Sequence, residues 1–378
     1  MSKTKKAIVS VTNDLYTDQR VNKVCVFLMD QGYDVLLVGR IRKSSVPLLE
    51  RPYQTKRMRL LFETGPLFYA SFSIRLFLFL LFRKADVLVS NDLDTLLPNY
   101  LAQKFKRKAR LVYDSHEYFT EVPELINRPK VQKFWLRIER KIFPRLKSVY
   151  TVNESIAAIY SKLYSKEIKV VRNISPLWSA INLKTKQELG IPENSHLIIL
   201  QGAGINIDRG AEEAVEAMCQ IDAVLLIVGD GDVVEILKIK VKKLELTKKV
   251  LFYGKKTYHV MMNFTHFADI GLTLDKPSNL NYKLSLPNKL FDYMHTYTAV
   301  VATNIKEVAQ VVTKNEIGTI VMDFTVDNLA ESINSILNDQ QLLAQYKENC
   351  KAAALTENWQ RETKILQEIY PKVTTKND

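Results

Sequence analysis

Cysteine is scarce in this chain: Cys25, Cys219 and Cys350 are the only three in 378 residues, odd in number and far apart. Such spacing makes neither a zinc site nor a disulfide framework, and it favours a reducing, cytoplasmic setting. A full Gly-x-Gly-x-x-Gly fingerprint is missing, which argues against a nicotinamide enzyme. Histidine numbers only five, with no His-Glu-x-x-His. No Ser–His–Asp order and no familiar Cys–His spacing supplies a nucleophile. The basic start MSKTKK leads into only the short run AIVSV, which reads as a first strand and not as a secretion signal. There is no low-complexity linker. The apolar content of 47% and charged content of 25% are ordinary for a globular protein, and the length suits two domains.

Charge is present but unevenly spread. The first 175 residues carry twice as many cationic as anionic side chains, and the rest are nearly balanced. A basic half suits an anionic membrane surface, nucleic acid, or simple solubility. Nucleic acid is the weaker partner, because the cations are scattered and no binding motif accompanies them. Leu67 to Phe82, LFYASFSIRLFLFLLF, points towards membrane. At 16 residues it falls short of a span, and Arg75 near its middle argues further against one. Core packing and interfacial docking both remain open for it.

The pattern along the chain alternates strand and helix. Strands are expected at Ala7–Asn13, Asp34–Val38, Asp86–Ser90, Arg110–Tyr113, Ser148–Val152 and Lys169–Val171, and again from Leu197 to Val321. Near-continuous apolar strands between helices predict doubly wound parallel sheets, an α/β fold. Pro176 and Pro192 interrupt the pattern. The expected domains are 1–175, 176–355 and a tail helix in 356–378.

Polar residues gather at strand ends, where open α/β sheets bind ligands. Asn13 and Asp14 end one strand, Asn91 and Asp92 another, and Asp114-Ser115-His116-Glu117 a third. Helix capping competes as the explanation for Asp14, Asp18 and Asp94. Gln201 to Gly210, QGAGINIDRG, follows a strand and opens a helix, so Gly202 and Gly204 let backbone approach a phosphate and Arg209 meets its charge. In Ser285 to Asn304, SLPNKLFDYMHTYTAVVATN, Asn288 and Lys289 open a helix with Asp292 on the same face. That arrangement suits a diphosphate and a ribose, or else is an ordinary amphipathic helix.

The run Pro287-Asn288-Lys289-Leu290-Phe291-Asp292-Tyr293-Met294 resembles the donor motif of GT-B retaining glycosyltransferases, family 4. Asp114-x-His116-Glu117 resembles that family's D-x-H-E segment. The resemblance implies two Rossmann-like doubly wound domains facing across a cleft, with the tail helix crossing back to the first. It implies a metal-independent hexosyltransferase without a cofactor. A sugar would pass from a UDP- or GDP-linked donor to a lipid-linked or surface-polysaccharide acceptor, on the cytoplasmic face of a membrane. His116, Arg209 and Lys289 would be catalytic, with His116 on the transferred sugar. Gly202, Gly204, Asn173, Asn288 and Asp292 would join Arg209 and Lys289 on the donor. Asn13, Asp14, Asn91, Asp92 and Glu117 would meet the acceptor. Two positions depart from the family: Leu284 replaces the first acidic residue of the donor motif, and Ala203 stands where a first cation is usual. A silent subunit acting through a partner is therefore one alternative, and a nucleotide-sugar 2-epimerase, which shares the two-domain plan, is another.

Overall fold

A computed structural model describes residues 4–16, 18–181, 183–202 and 204–373. The chain divides into two units, residues 4–172 with 362–373 and residues 173–361. Each is a parallel sheet flanked by helices.

The first sheet holds β1 (Lys6–Asp14), β2 (Asp34–Ile41), β3 (Gln54–Arg59), β4 (Val87–Asn91), β5 (Arg110–Ser115), β6 (Ser148–Thr151) and β7 (Lys169–Val170), in the order β3-β2-β1-β4-β5-β6-β7. The central strands are buried on both faces, as their Val- and Leu-rich sequences require. Helix α1 (Gln19–Asp30) follows β1 and is started by Asp18, whose carboxylate accepts from the Val21 N–H at 3.0 Å. Asp18 is thus a cap. Helix α2 (Gly65–Phe82) precedes β4, and α3 (Asp92–Phe105) follows it. The apolar run read from the sequence is therefore a helix, but only Phe68, Phe72, Leu76 and Leu80 of it are buried. It is neither a core helix nor fully solvated.

The second sheet holds β8 (Leu197–Gly202), β9 (Val224–Gly229), β10 (Val250–Phe252), β11 (Ile270–Thr273), β12 (Ala299–Thr303) and β13 (Gly318–Val321), in the order β10-β9-β8-β11-β12-β13. The expected helix after the donor motif's Pro287 spans Lys289–His295. It is not amphipathic: every residue from Leu290 to His295 is buried. Tyr293 lies flat against Gly271, where any Cβ would sit 2.4 Å from its ring, and its hydroxyl donates to the Leu272 carbonyl at 2.9 Å. That contact seats the helix on β11.

In both sheets the strand order reverses once, between β1 and β4 and between β8 and β11. Such switch points open a crevice at the carboxyl ends of the strands.

Candidate active site

At the switch point of the first sheet, polar residues from β4 and β5 meet. Asp92, just after β4, has a φ of 57°, a conformation that costs a non-glycine residue energy and recurs at functional sites. Its carboxylate accepts from the His116 backbone N–H at 2.8 Å and lies 3.3 Å from His116 Nδ1. His116 Nε2 lies 3.1 Å from Asn91 Oδ1 and 3.3 Å from Asp114 Oδ2. Arg20, from the first turn of α1, is buried beneath. Its Nε and Nη2 donate to Asp114 at 3.1 and 2.7 Å, and Nη1 donates to the Val171 carbonyl at 2.8 Å. Asp94 accepts from the Thr12 hydroxyl, and its Oδ1 is buried without a partner among the described residues.

Burial disfavours the His116 imidazolium, but Asp92 and Asp114 outweigh it and push the ring up to about 9. Burial would raise Asp114, yet Arg20 and His116 bring it down to about 2. Burial pushes Asp92 and Asp94 up to about 6 despite His116 nearby. The group thus holds a cation at neutral pH among carboxylates of mixed readiness to ionise. A raised histidine stabilises the fold fully below its ordinary value of 6.5, and that contribution is lost as pH rises through about 9. It is worth up to ~3 kcal/mol. The melting temperature of wild type should fall between neutral pH and about 9, and more steeply than that of His116→Gln. Parallel profiles would show that His116 is not charged in the folded protein.

The structure brings Asn91, Asp92, Asp114 and His116 together and adds Arg20. Asp14 is turned elsewhere: Arg57 of β3 donates to it at 2.6 Å, and Ser45 donates as well. Asn13 is exposed, and Glu117 is half-buried beside His116.

The second cluster forms after β8 and β11. Gly202 closes β8 against Gly229, where a Cβ would lie 1.9 Å from the Gly202 carbonyl oxygen. Ala203 falls outside the described residues. Gly204 and the loop after it lead to Gly210, whose φ is 72° and whose Cβ would collide with Leu274 at 2.4 Å. This tight turn presents Arg209. Its Nη1 donates to Asp275 at 2.8 Å, and its guanidinium lies 4.3 Å over the Tyr282 ring. Lys289 is half-buried, and its ammonium makes no hydrogen bond among the described residues. Burial pushes its ammonium below the usual range against the pull of Asp275, with Arg209 adding to the push. Asp275 is almost fully buried, with one oxygen unpartnered among the described residues. Two cations around one carboxylate leave net positive charge, matched to an anionic ligand. Asn288 immediately precedes Lys289, and Asn173 is half-buried at the start of the second unit.

Asp292 behaves differently from its neighbours. It is 4% exposed, and its carboxylate accepts from Ser175 at 2.9 Å, Tyr258 at 2.8 Å and Gln201 at 3.3 Å.

Two family descriptions match the sequence: "Glycosyl transferases group 1" over residues 182–353 and "Glycosyltransferase Family 4" over residues 19–174. The chain belongs to the group 1 glycosyltransferases. Solved structures agree on the GT-B fold. A glycosyltransferase from Rickettsia africae is 15% identical, with 99% of this chain and 100% of that one covered and a TM-score of 0.76. WaaG, a glycosyltransferase involved in lipopolysaccharide biosynthesis, is 16% identical, with 97% and 100% covered and a TM-score of 0.72. Anabaena HepE in complex with UDP-glucose is 16% identical, with 96% and 99% covered and a TM-score of 0.71. No curated protein matches at the sequence level. Within this group 1 glycosyltransferase, Asp275, like Arg20, is a polar residue that sequence reasoning missed. An acidic side chain two residues beyond β11, at the reversal of strand order, is the signal that points to it.

Proposed function

We propose that this glycosyltransferase transfers a hexose from a UDP- or GDP-sugar to a lipid-linked or surface-polysaccharide acceptor, with retention of anomeric configuration. The observation that carries the reading is the Arg209–Asp275–Lys289 cluster, a pair of cations with spare positive charge at a sheet switch point. The donor diphosphate would lie on Arg209 and Lys289, beside Gly202, Gly204 and Asn288. As the bond between sugar and diphosphate breaks, negative charge grows on the leaving oxygen, and fixed cations there stabilise it most. They would take the part a divalent ion plays elsewhere, so no metal is required. The departing diphosphate accepts the acceptor hydroxyl's proton, which explains why no separate base need be positioned.

In this reading His116 serves the transferred sugar and Asn91, Asp92 and Glu117 the acceptor. The ring nitrogens of His116 lie 3.1–3.3 Å from their present partners. These are long for charge-assisted bonds, so a sugar hydroxyl can take one over. Asp292 would brace the helix that carries Lys289 through its bonds to Ser175, Tyr258 and Gln201.

The test is a nucleotide-release screen of purified protein with UDP- and GDP-sugars in EDTA, with and without membrane-lipid extract, followed by NMR of the product's anomeric centre. Acceptor-dependent release with a retained anomer is expected. An inverted product would sink the retaining mechanism. Sugar isomerisation without acceptor would favour a 2-epimerase. No release and no donor binding would favour a silent subunit, with Leu284 in place of a carboxylate as the reason.

A further inference from the structure

Helix α2 is apolar on two opposite faces. Phe68, Phe72, Leu76 and Leu80 pack into the first unit. On the other side Leu67, Ile74, Leu78 and Phe82 are exposed, Phe82 to 81%. Helix α3 extends this outer surface: Phe105 is 69% exposed and its ring lies 6.0 Å from Phe77. The one charge within α2, Arg75, donates back to the Arg59 carbonyl. Scattered exposed apolar residues need no explanation, but a continuous stripe along an 18-residue helix does.

Where α2 and α3 end, the chain forms an open cleft of about 390 Å³ at the amino edge of β1, β4 and β5. Phe105 lines it, together with Lys6, Lys84, Lys106, Arg107 and Lys108. Lys6 pairs with Asp34 at 3.3 Å, and Lys106 donates to the Arg83 carbonyl at 2.5 Å. Lys84, Arg107 and Lys108 have no ion pair or hydrogen bond among the described residues. The single acid in the cleft, Asp86, already accepts from the Lys6 backbone N–H at 2.7 Å.

We propose that the outer face of α2 and this cationic cleft together dock the protein on an anionic phospholipid bilayer, with lipid phosphates in the cleft. An apolar stripe flanked by uncompensated cations is the profile of an in-plane interfacial helix. Such a helix sinks about 5–10 Å into the headgroup region. By length and composition α2 is apolar enough to cross a membrane, with a mean hydropathy of 1.7. Crossing would require its inner stripe to leave the core, exposing the apolar side chains of the sheet that it covers. A second copy of the chain is a poorer occupant, because a two-fold contact would set like charges against each other. The surface lies wholly within the first unit and does not depend on the transfer reaction, so its failure and that of the transferase reading are separable.

The experiment is co-sedimentation of purified full-length protein with phosphatidylcholine vesicles, with and without phosphatidylglycerol. Wild type should bind the anionic vesicles and not the neutral ones, and added salt should weaken binding. The combined variant Lys84→Glu, Arg107→Glu and Lys108→Glu should lose binding by about a hundredfold. A second variant, Ile74→Ser, Leu78→Ser and Phe82→Ser, should lose about tenfold or more. Both should keep wild-type melting curves and nucleotide binding, since none of these side chains is buried in the core or placed at the clusters above. Absence of wild-type binding to anionic vesicles would overturn the proposal. So would equal binding by both folded variants. Dimerisation of wild type that the serine variant abolishes, with lipid binding unchanged, would assign the face to a second copy instead.

Discussion

Replacing Arg209 by alanine is expected to lower acceptor-dependent nucleotide release by about 10²–10³-fold, ~3–4 kcal/mol of lost transition-state stabilisation. The loss should fall mainly on kcat, since charge on the leaving diphosphate develops only as the bond breaks. Lys289→Ala should act in the same direction. Arg209→Lys should recover only part of the activity. The guanidinium lies flat over Tyr282 while holding Asp275, and an ammonium cannot stack and bond in that way. Removing Arg209 also leaves Asp275 buried without its cation, so Asp275→Asn in the Arg209→Ala background should restore stability but not turnover. Rates of Arg209→Ala within threefold of wild type would remove the cluster from the chemistry.

The second large effect concerns stability. Arg20 and Asp114 are 3% and 0% exposed and form a two-point ion pair. Breaking a buried pair by removing one partner costs about 3–5 kcal/mol, because the other charge is left uncompensated. Asp114→Asn should therefore lower the melting temperature by roughly 10 °C for a unit of this size. It also removes a carboxylate from His116. The double variant Arg20→Met with Asp114→Leu should be closer to wild type than either single change. Asp114 is held at about 2, below its ordinary 3.8. Its contribution is present above 3.8 and disappears as pH falls through 2. A single-variant loss under 1 kcal/mol in thermal or denaturant melts would contradict this account.

Most strands and the βα alternation were legible because buried parallel strands are continuous apolar runs. Strand β3 was not. Its sequence QTKRMR is an edge strand with most side chains in solvent, and edges tolerate cations. The helix Lys289–His295 misled in the opposite direction. Its polar residues look solvent-facing, yet Asp292 bonds to Ser175, Gln201 and Tyr258, and His295 Nε2 lies 2.8 Å from the Glu357 carbonyl oxygen. Local periodicity cannot show partners so distant in sequence. Within the first cluster, His116, Asn91 and Asp92 were legible from their strand-end positions. Arg20 was hidden on a helix whose apolar stripe alone announced it.

The glycine turn beneath Arg209 limits where this chain can vary. Gly210 and Gly229 have no room for a side chain, so variation there displaces the loop that presents Arg209. By contrast, no residue from 276 to 289 is buried. Apart from Tyr282, on whose ring the Arg209 guanidinium lies, substitutions across residues 277–286 should therefore cost little in folding, so this segment can vary where the glycines cannot.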